Sequence, residues 1–386
     1  MSITRKEFIN YAFAAGAGCF LGLGTTMLNG SGVFAGNKIR GITRGSPGGF
    51  YEASFYRTLE NDSVECLLCP INEKLPYGIK SVCGVRFNGK GKMFLTNYAR
   101  PAKIEVESVE QNPLYHYYPG IKTLAMGTAG CNLSCLSCQN WEISQKSVHQ
   151  IKSYNITPMQ AIRLSREKKC DGFSFRFSEP AIFFEYCRDI GKLANKRRMK
   201  TCIATSGYIN PDPLKVWTKY IEAFTVSLKG LDPELYGGGK RPKVIETIGN
   251  SMRIIKQQER WLEVAILIIP GKSDSEEVIS TQLKWIRNNL GEFIPIHFLK
   301  FIPAFKLDKT PETPIAVLEN AQKMAKKIGI KYSYIPGIPG HKAGNTYCHQ
   351  CSKLIIERSG SKVTQNHIKR GKCEYCSTNI PGVWGS

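Results

Sequence analysis

From Lys122 to about Gly340 the apolar residues alternate between two spacings. Short, nearly continuous runs of β-branched, aromatic and aliphatic residues begin at Leu124, Gly172, Thr201, Ala223, Val264, Ile296 and Ile330. Such runs predict strands buried on both faces. Between them lie amphipathic helices: one from about Pro158 with Thr157 as its N-cap, and others over Phe183 to Ala194, Lys243 to Gln258, Ser275 to Leu290 and Thr313 to Ile328. Strands that alternate with helices form a parallel sheet covered by a helical layer. The six strand-helix units make three-quarters of a TIM barrel, so the predicted fold class is α/β with a partial (β/α)6 TIM barrel. Reactive groups in that architecture gather where strands end. Here those positions are the loop after the first strand, then Glu179, Ser206, Lys229, Pro270 and His297.

The flanks break this pattern and divide the chain into four parts: 1–36, 37–119, 120–339 and 340–386. The first is a leader in which Arg5 and Lys6 precede a Gly- and Ala-rich stretch without charge from Phe8 to Asn37. It resembles a twin-arginine signal with lysine for the second arginine, and V-F-A before Gly36 offers a small-residue cleavage site. The expectation is export in the folded state or a membrane tether. Cytosolic supply of reductant argues for the alternative, a cytoplasmic protein. Residues 37–49 are a Gly-rich basic linker, and the rest of the second part carries scattered cysteines.

Lys and Arg number 53 against 31 Asp and Glu, a formal charge of +22, which points to an anionic partner or a lysine-rich solvated face. The basic residues are spread along the helices without an aromatic-basic module, so nucleic acid is not the expected partner. A hydrophobic share of 42% places the chain among globular proteins.

Cysteine changes the picture most. Of 14 cysteines, ten fall into three groups: Cys66, Cys69 and Cys83; Cys131, Cys135 and Cys138; Cys348, Cys351, Cys373 and Cys376. Short C-x2-C units in a large enzyme read as metal sites rather than a disulfide framework. In G-T-A-G-C-N-L-S-C-L-S-C-Q-N-W, from Gly127 to Trp141, three thiolates can hold three irons of a cubane cluster and leave the fourth iron open for a ligand. That spacing points to a radical S-adenosylmethionine (SAM) cluster, with Gly127 and Gly130 letting the backbone come close. Half a zinc site is the alternative, but zinc favours paired C-x2-C units, which the x3 gap breaks. The first group supplies three ligands of a second metal site and lacks a local fourth, for which His116 is one candidate. The last group, two C-x2-C knuckles, predicts a small ribbon around structural zinc or a second iron centre. Cys170, Cys187 and Cys202 stand singly and read as buried small hydrophobes, and Cys19 lies in the leader.

From Glu65 to the end the chain resembles the radical SAM protein of the AmmeMemoRadiSam system, a family related to pyruvate formate-lyase activating enzymes. The resemblance rests on E-C-L-L-C-P with C-G-V-R, N-P-L-Y-H-Y-Y-P-G, the cluster loop, F-S-E-P, T-S-G-Y-I, I-I-P-G-K-S-D, H-F-L-K-F-I-P and I-P-G-V-W. It implies a 4Fe-4S cluster on Cys131, Cys135 and Cys138 with SAM on the open iron. It also implies that Glu179 meets the SAM amino group, that Thr205 and Ser206 meet its carboxylate or ribose, and that His297 falls near the adenine end. The implied activity is that of an oxidoreductase forming a 5'-deoxyadenosyl radical. The substrate would be a small molecule or a partner protein's glycine, and the electron donor a carrier such as ferredoxin or flavodoxin. Four residues depart from the family: Glu73 replaces a fourth cysteine, Ser227 of Ser227-Leu228-Lys229 replaces the aspartate of D-L-K, and Gln111 and Asn112 replace a lysine pair. A competing reading is an iron-sulfur and zinc scaffold that senses redox state and binds an anionic partner without turnover.

Overall fold

The computed structural model describes residues 43–44 and 50–385. The expected leader, its cleavage site and Cys19 lie outside the described residues. Among the described residues no helix is long and apolar enough to cross a membrane.

The core is an eight-stranded sheet whose strands follow one another in chain order. Its strands are β1 (Lys103–Ser108), β2 (Lys122–Gly127), β3 (Gly172–Phe175), β4 (Lys200–Thr205), β5 (Ala223–Leu228), β6 (Trp261–Ile268), β7 (Ile296–Lys300) and β8 (Ser333–Tyr334). From β2 to β8 the pairing is parallel, and successive connections carry α1 (Pro158–Glu167), α2 (Phe184–Asn195), α3 (Pro211–Trp217), α4 (Val244–Gln257), α5 (Glu276–Leu290) and α6 (Ile315–Ile328). Thr157 caps α1 as expected, and it does so in a reciprocal capping box with Gln160. The six strand-helix units are therefore present, and β8 closes the run. One strand goes beyond the expectation. β1 belongs to the part expected to end at 119, yet it pairs antiparallel with the whole of β2.

The second part forms two small three-stranded antiparallel sheets against α2. Its anchor is Arg86, which bonds Glu185 at 2.7 Å with both side chains fully buried. The backbone N–H of Ser54 reaches the same carboxylate oxygen at 2.7 Å. A buried pair of this kind ties two units together because removing either partner strands the other charge.

The lower mouth of the barrel, at the strands' N-terminal ends, is plugged by residues 112–116. Thr225 on β5 donates to the Asn112 carbonyl, and Glu263 on β6 accepts the backbone N–H groups of Tyr115 and His116 at 3.0 and 2.8 Å. The terminal ribbon seals this plug from outside. Its strands Thr346–Tyr347, Leu354–Ser359 and Lys362–Asn366 form one antiparallel sheet. Arg358 donates to the Tyr115 carbonyl at 2.8 Å and lies over the Tyr115 ring. His116 bonds the Pro381 carbonyl and the Tyr334 hydroxyl, and Val383 pairs with the backbone on either side of Tyr117. The motifs N-P-L-Y-H-Y-Y-P-G and I-P-G-V-W, far apart in sequence, thus meet as one interlock.

Burial pushes the His116 imidazole down to about 4 from an ordinary 6.5. Between those values the unfolded chain binds the proton and the folded one does not, so stability falls as pH drops through that window. The parent protein is expected to lose more thermal stability between pH 7 and pH 5 than a His116→Gln variant, as thermal melts at the two pH values would show.

Candidate cluster and cofactor site

The loop after β2 is held in shape by close backbone packing. A Cβ on Gly127 would lie 2.3 Å from the Arg176 carbonyl, and one on Gly130, at φ +86°, would lie 2.4 Å from that of Cys83. Glycine is therefore required at both places, the second doubly so because L side chains rarely adopt that φ. Loops from two later strands grip the cluster loop from above. Ser134 and Leu136 N–H groups bond the carbonyls of Tyr236 and Leu235 after β5, while Gln139 donates to the Ile302 carbonyl and Lys306 to that of Leu136 after β7. Gly237 lets its segment pass against Ser134, to whose Oγ an added Cβ would approach within 2.3 Å.

Cys131, Cys135 and Cys138 are free thiols at this strand-end face, and the Cys138 sulfur lies 3.1 Å from Ser144 Oγ. Burial raises the Cys131 and Cys135 thiols, and neighbouring thiols and Glu179 add to the effect. Glu179 closes the turn after β3 and is 5% exposed. Its carboxylate accepts the Ala181 N–H at 3.2 Å, the Ser206 N–H at 2.8 Å, the Ser206 hydroxyl at 2.5 Å and the Thr205 hydroxyl. The structure thus joins three residues that the sequence only placed at separate strand ends. The two backbone donors are fixed. The two hydroxyls can turn, so they are the partners an incoming ammonium can replace.

Lys229, half-buried at the end of β5, was legible as a strand-end residue but not as a member of this group. Burial works against its charge, but Cys135, Tyr236, Glu179 and Cys138 outweigh that and raise its pKa. Its Nζ lies 5.1 Å from the centre of the Tyr236 ring. No sequence signal singled out Tyr236, which ends the short 3-10 turn Pro233–Tyr236.

His297 is elsewhere. It occupies the N-terminal half of β7, fully buried, with Nε2 bonded to Glu263 at 2.7 Å and its ring packed on Tyr115 and Tyr334. The expectation that it lies near an adenine is corrected: it belongs to the plugged lower mouth. His116 is likewise committed to Pro381 and Tyr334 and is not a fourth ligand for Cys66, Cys69 and Cys83. Those three thiols are buried and line a cavity together with Glu73 and Asn132. Cys170, Cys187 and Cys202 are buried, as small hydrophobes should be.

The terminal cysteines converge. The sulfurs of Cys348, Cys351, Cys373 and Cys376 all lie within 4.8 Å of one another, with Cys348 to Cys376 at 3.6 Å and Cys351 to Cys373 at 3.8 Å. Metal-sulfur bonds of about 2.3 Å in a tetrahedron put sulfurs about 3.8 Å apart, so this group suits a single ion.

Residues 126–281 match the family model described as the Radical SAM superfamily. The chain is also 31% identical over 331 residues to the uncharacterized protein MJ0808 of Methanocaldococcus jannaschii, covering 85% of this chain and 98% of that one. The chain belongs to the radical SAM superfamily. Solved structures similar to it include a domain of a pyruvate-formate lyase-activating enzyme from Bacteroides vulgatus, with 17% identity, coverage of 43% of this chain and 99% of that one, and a TM-score of 0.37. Another is a radical SAM methyltransferase from Sphaerobacter thermophilus, with 14% identity, coverage of 57% and 67%, and a TM-score of 0.43.

A radical SAM enzyme uses a 4Fe-4S cluster and SAM, and the residues here fit both. Three free thiols share one loop, a carboxylate and a lysine of opposite charge flank them, and the buried hydroxyls of Thr128, Ser137 and Ser178 have no partner among the described residues. For the terminal group, elemental analysis of the parent against a Cys351→Ala, Cys373→Ala variant is expected to show a loss of one metal ion per chain. Equal content would exclude the site.

Proposed function

We propose that this radical SAM enzyme cleaves SAM reductively and takes hydrogen from a substrate held over the strand-end face of the barrel. The observation that carries the reading is the convergence of the 131–138 loop, the Glu179–Thr205–Ser206 group and Lys229 at that face. Cys131, Cys135 and Cys138 would hold the cluster, leaving one iron for SAM. When bound, the pair supplies cleavage of the sulfonium carbon-sulfur bond and a 5'-deoxyadenosyl radical.

The chain's own residues bind, orient and exclude water. Glu179 would hold the amino group of SAM, and the Thr205 and Ser206 hydroxyls that now bond it would be free to meet the carboxylate or ribose. Lys229 supplies a cation beside three thiolates and a carboxylate, offsetting negative charge in a poorly solvated place. The loops at 235–237 and 302–306 cover the cluster loop and limit the approach of water.

The substrate is a small molecule or a glycine of a partner protein, and the electron comes from a carrier such as ferredoxin or flavodoxin, for which a net charge of +22 suits an acidic donor. Zinc is the proposed occupant of the terminal ribbon. The leader's composition supports export or a membrane tether.

The test uses full-length protein, reconstituted anaerobically with iron and sulfide and incubated with SAM and dithionite. Mass spectrometry is expected to find 5'-deoxyadenosine from the parent and none from a Cys131→Ala, Cys135→Ala, Cys138→Ala variant. Glu179→Gln is expected to weaken SAM binding about 10- to 100-fold, the worth of one charge-assisted hydrogen bond. A parent with an intact cluster and no product would overturn the reading and favour the non-catalytic scaffold.

A further inference from the structure

We propose that Cys66, Cys69 and Cys83 hold a third metal centre, distinct from the catalytic cluster and the terminal ribbon, which braces the loop carrying Cys131. The three are free thiols, 6%, 8% and 5% exposed, brought together from a strand end and from the turn at 81–84. All three line one cavity of about 10 Å³, shared with Asn132 and Glu73. That is room for one water-sized body. A set of three thiols selects soft metals, namely zinc or iron with or without sulfide.

Polar side chains face the triad from two sides. The fully buried Arg86 guanidinium places Nη1 3.9 Å from the Cys66 sulfur, and its Nε has no partner among the described residues. Asn132 interacts with the Cys69 thiol, and its own Oδ1 is buried without a partner. Glu73, which stands where a fourth cysteine would, is not free to ligate. Its carboxylate accepts the Ser81 hydroxyl at 2.7 Å and the Val82 N–H at 3.0 Å, fixing the turn that presents Cys83. The protein therefore supplies three ligands, and the fourth position faces the cavity. Among the described residues only the four terminal cysteines already stand close enough to share one ion, so an ion on the triad would have to draw the 81–84 turn inward.

Bracing follows from what touches the triad. Asn132 and Gly130 flank Cys131, and they contact Cys69 and the Cys83 carbonyl respectively. On the other side Asn210 bonds the carbonyls of Leu67 and Leu68, each at 2.9 Å, at the end of the loop that begins with Thr205 and Ser206. Metal on the triad would thus fix the cluster loop and the loop that meets Glu179 together.

The test is independent of turnover. In full-length protein lacking Cys131, Cys135 and Cys138, iron, zinc and sulfide per chain are measured before and after adding Cys66→Ala, Cys69→Ala and Cys83→Ala. The expected result is a fall by one metal centre. Iron with sulfide identifies a cluster and zinc a single ion, and either supports the site. Unchanged content overturns it. A single Cys69→Ser variant, close to the native size, must show the same fall if the multiple variant does not fold. Glu73→Gln, whose amide oxygen can still accept from Ser81 and Val82, must retain the metal, and its loss would refute the three-ligand assignment. With the catalytic cysteines intact, Cys69→Ser is expected to shift the paramagnetic resonance spectrum of the reduced catalytic cluster. An unchanged spectrum would remove the bracing role.

Discussion

Three thiols must face one point from a single loop, and the loop's backbone must still be satisfied. This constraint organises the molecule. It is met by contact too close for a side chain, at Gly127 against Arg176 and at Gly130 against Cys83, and by hydrogen bonds to segments after β5 and β7, whose carbonyls accept from Ser134, Leu136 and Gln139. The loop is consequently shaped by strands that come well after it in the chain, and it cannot take its form until most of the barrel is assembled. Function here depends on long-range packing, although the ligands lie within eight residues of one another, from Cys131 to Cys138.

The two appendages brace opposite ends of the barrel. The second part packs behind the cluster loop and is tied to α2 by the Arg86–Glu185 pair, whose burial makes it costly to break rather than strongly stabilising in itself. The ribbon closes the lower mouth, where Glu263 gathers two backbone N–H groups, the indole of Trp261 and His297. A carboxylate so surrounded is held below the usual range despite its burial, chiefly because His297 donates to it. The ribbon has little core of its own. It borrows Tyr115, Tyr332 and Tyr334 from the barrel side, so its four cysteines and this shared aromatic cluster sustain it together.

Periodicity made the strands and most helices legible because buried parallel strands and amphipathic helices leave strong, distinct patterns. The cysteine groups were legible because ligand spacing is local. What was not legible arose from pairing. β1 alternates polar and apolar residues over only six positions and lies outside the strand-helix run, and α3 is only seven residues long. His297 illustrates the limit best. Its sequence position near a strand end was compatible with the reactive face, but strand register sets it beside Ala265, in the layer that contains Glu263 rather than the one that contains Lys229. A residue's place along a strand, not its chemistry, decides which mouth of the barrel it serves.

The departures from the resembled family acquire different meanings once placed. Glu73 keeps a negative group where a cysteine would stand, but turns it onto Ser81 and Val82, exchanging a ligand for a fixed turn. Asn112, in place of a lysine, is fully buried in the plug. Its side-chain oxygen and nitrogen find no partner among the described residues, while its carbonyl accepts from Thr225. An ammonium there would bring a buried charge into the layer where Glu263 is already bonded by His297, so the neutral residue is consistent with that pairing. Ser227 is half-buried beside Lys229, and with no carboxylate at that position Lys229 answers to Glu179, the thiols and Tyr236. That leaves more of its positive charge for an anionic group arriving at the strand-end face, which ties the altered motif to the chemistry of whatever binds there.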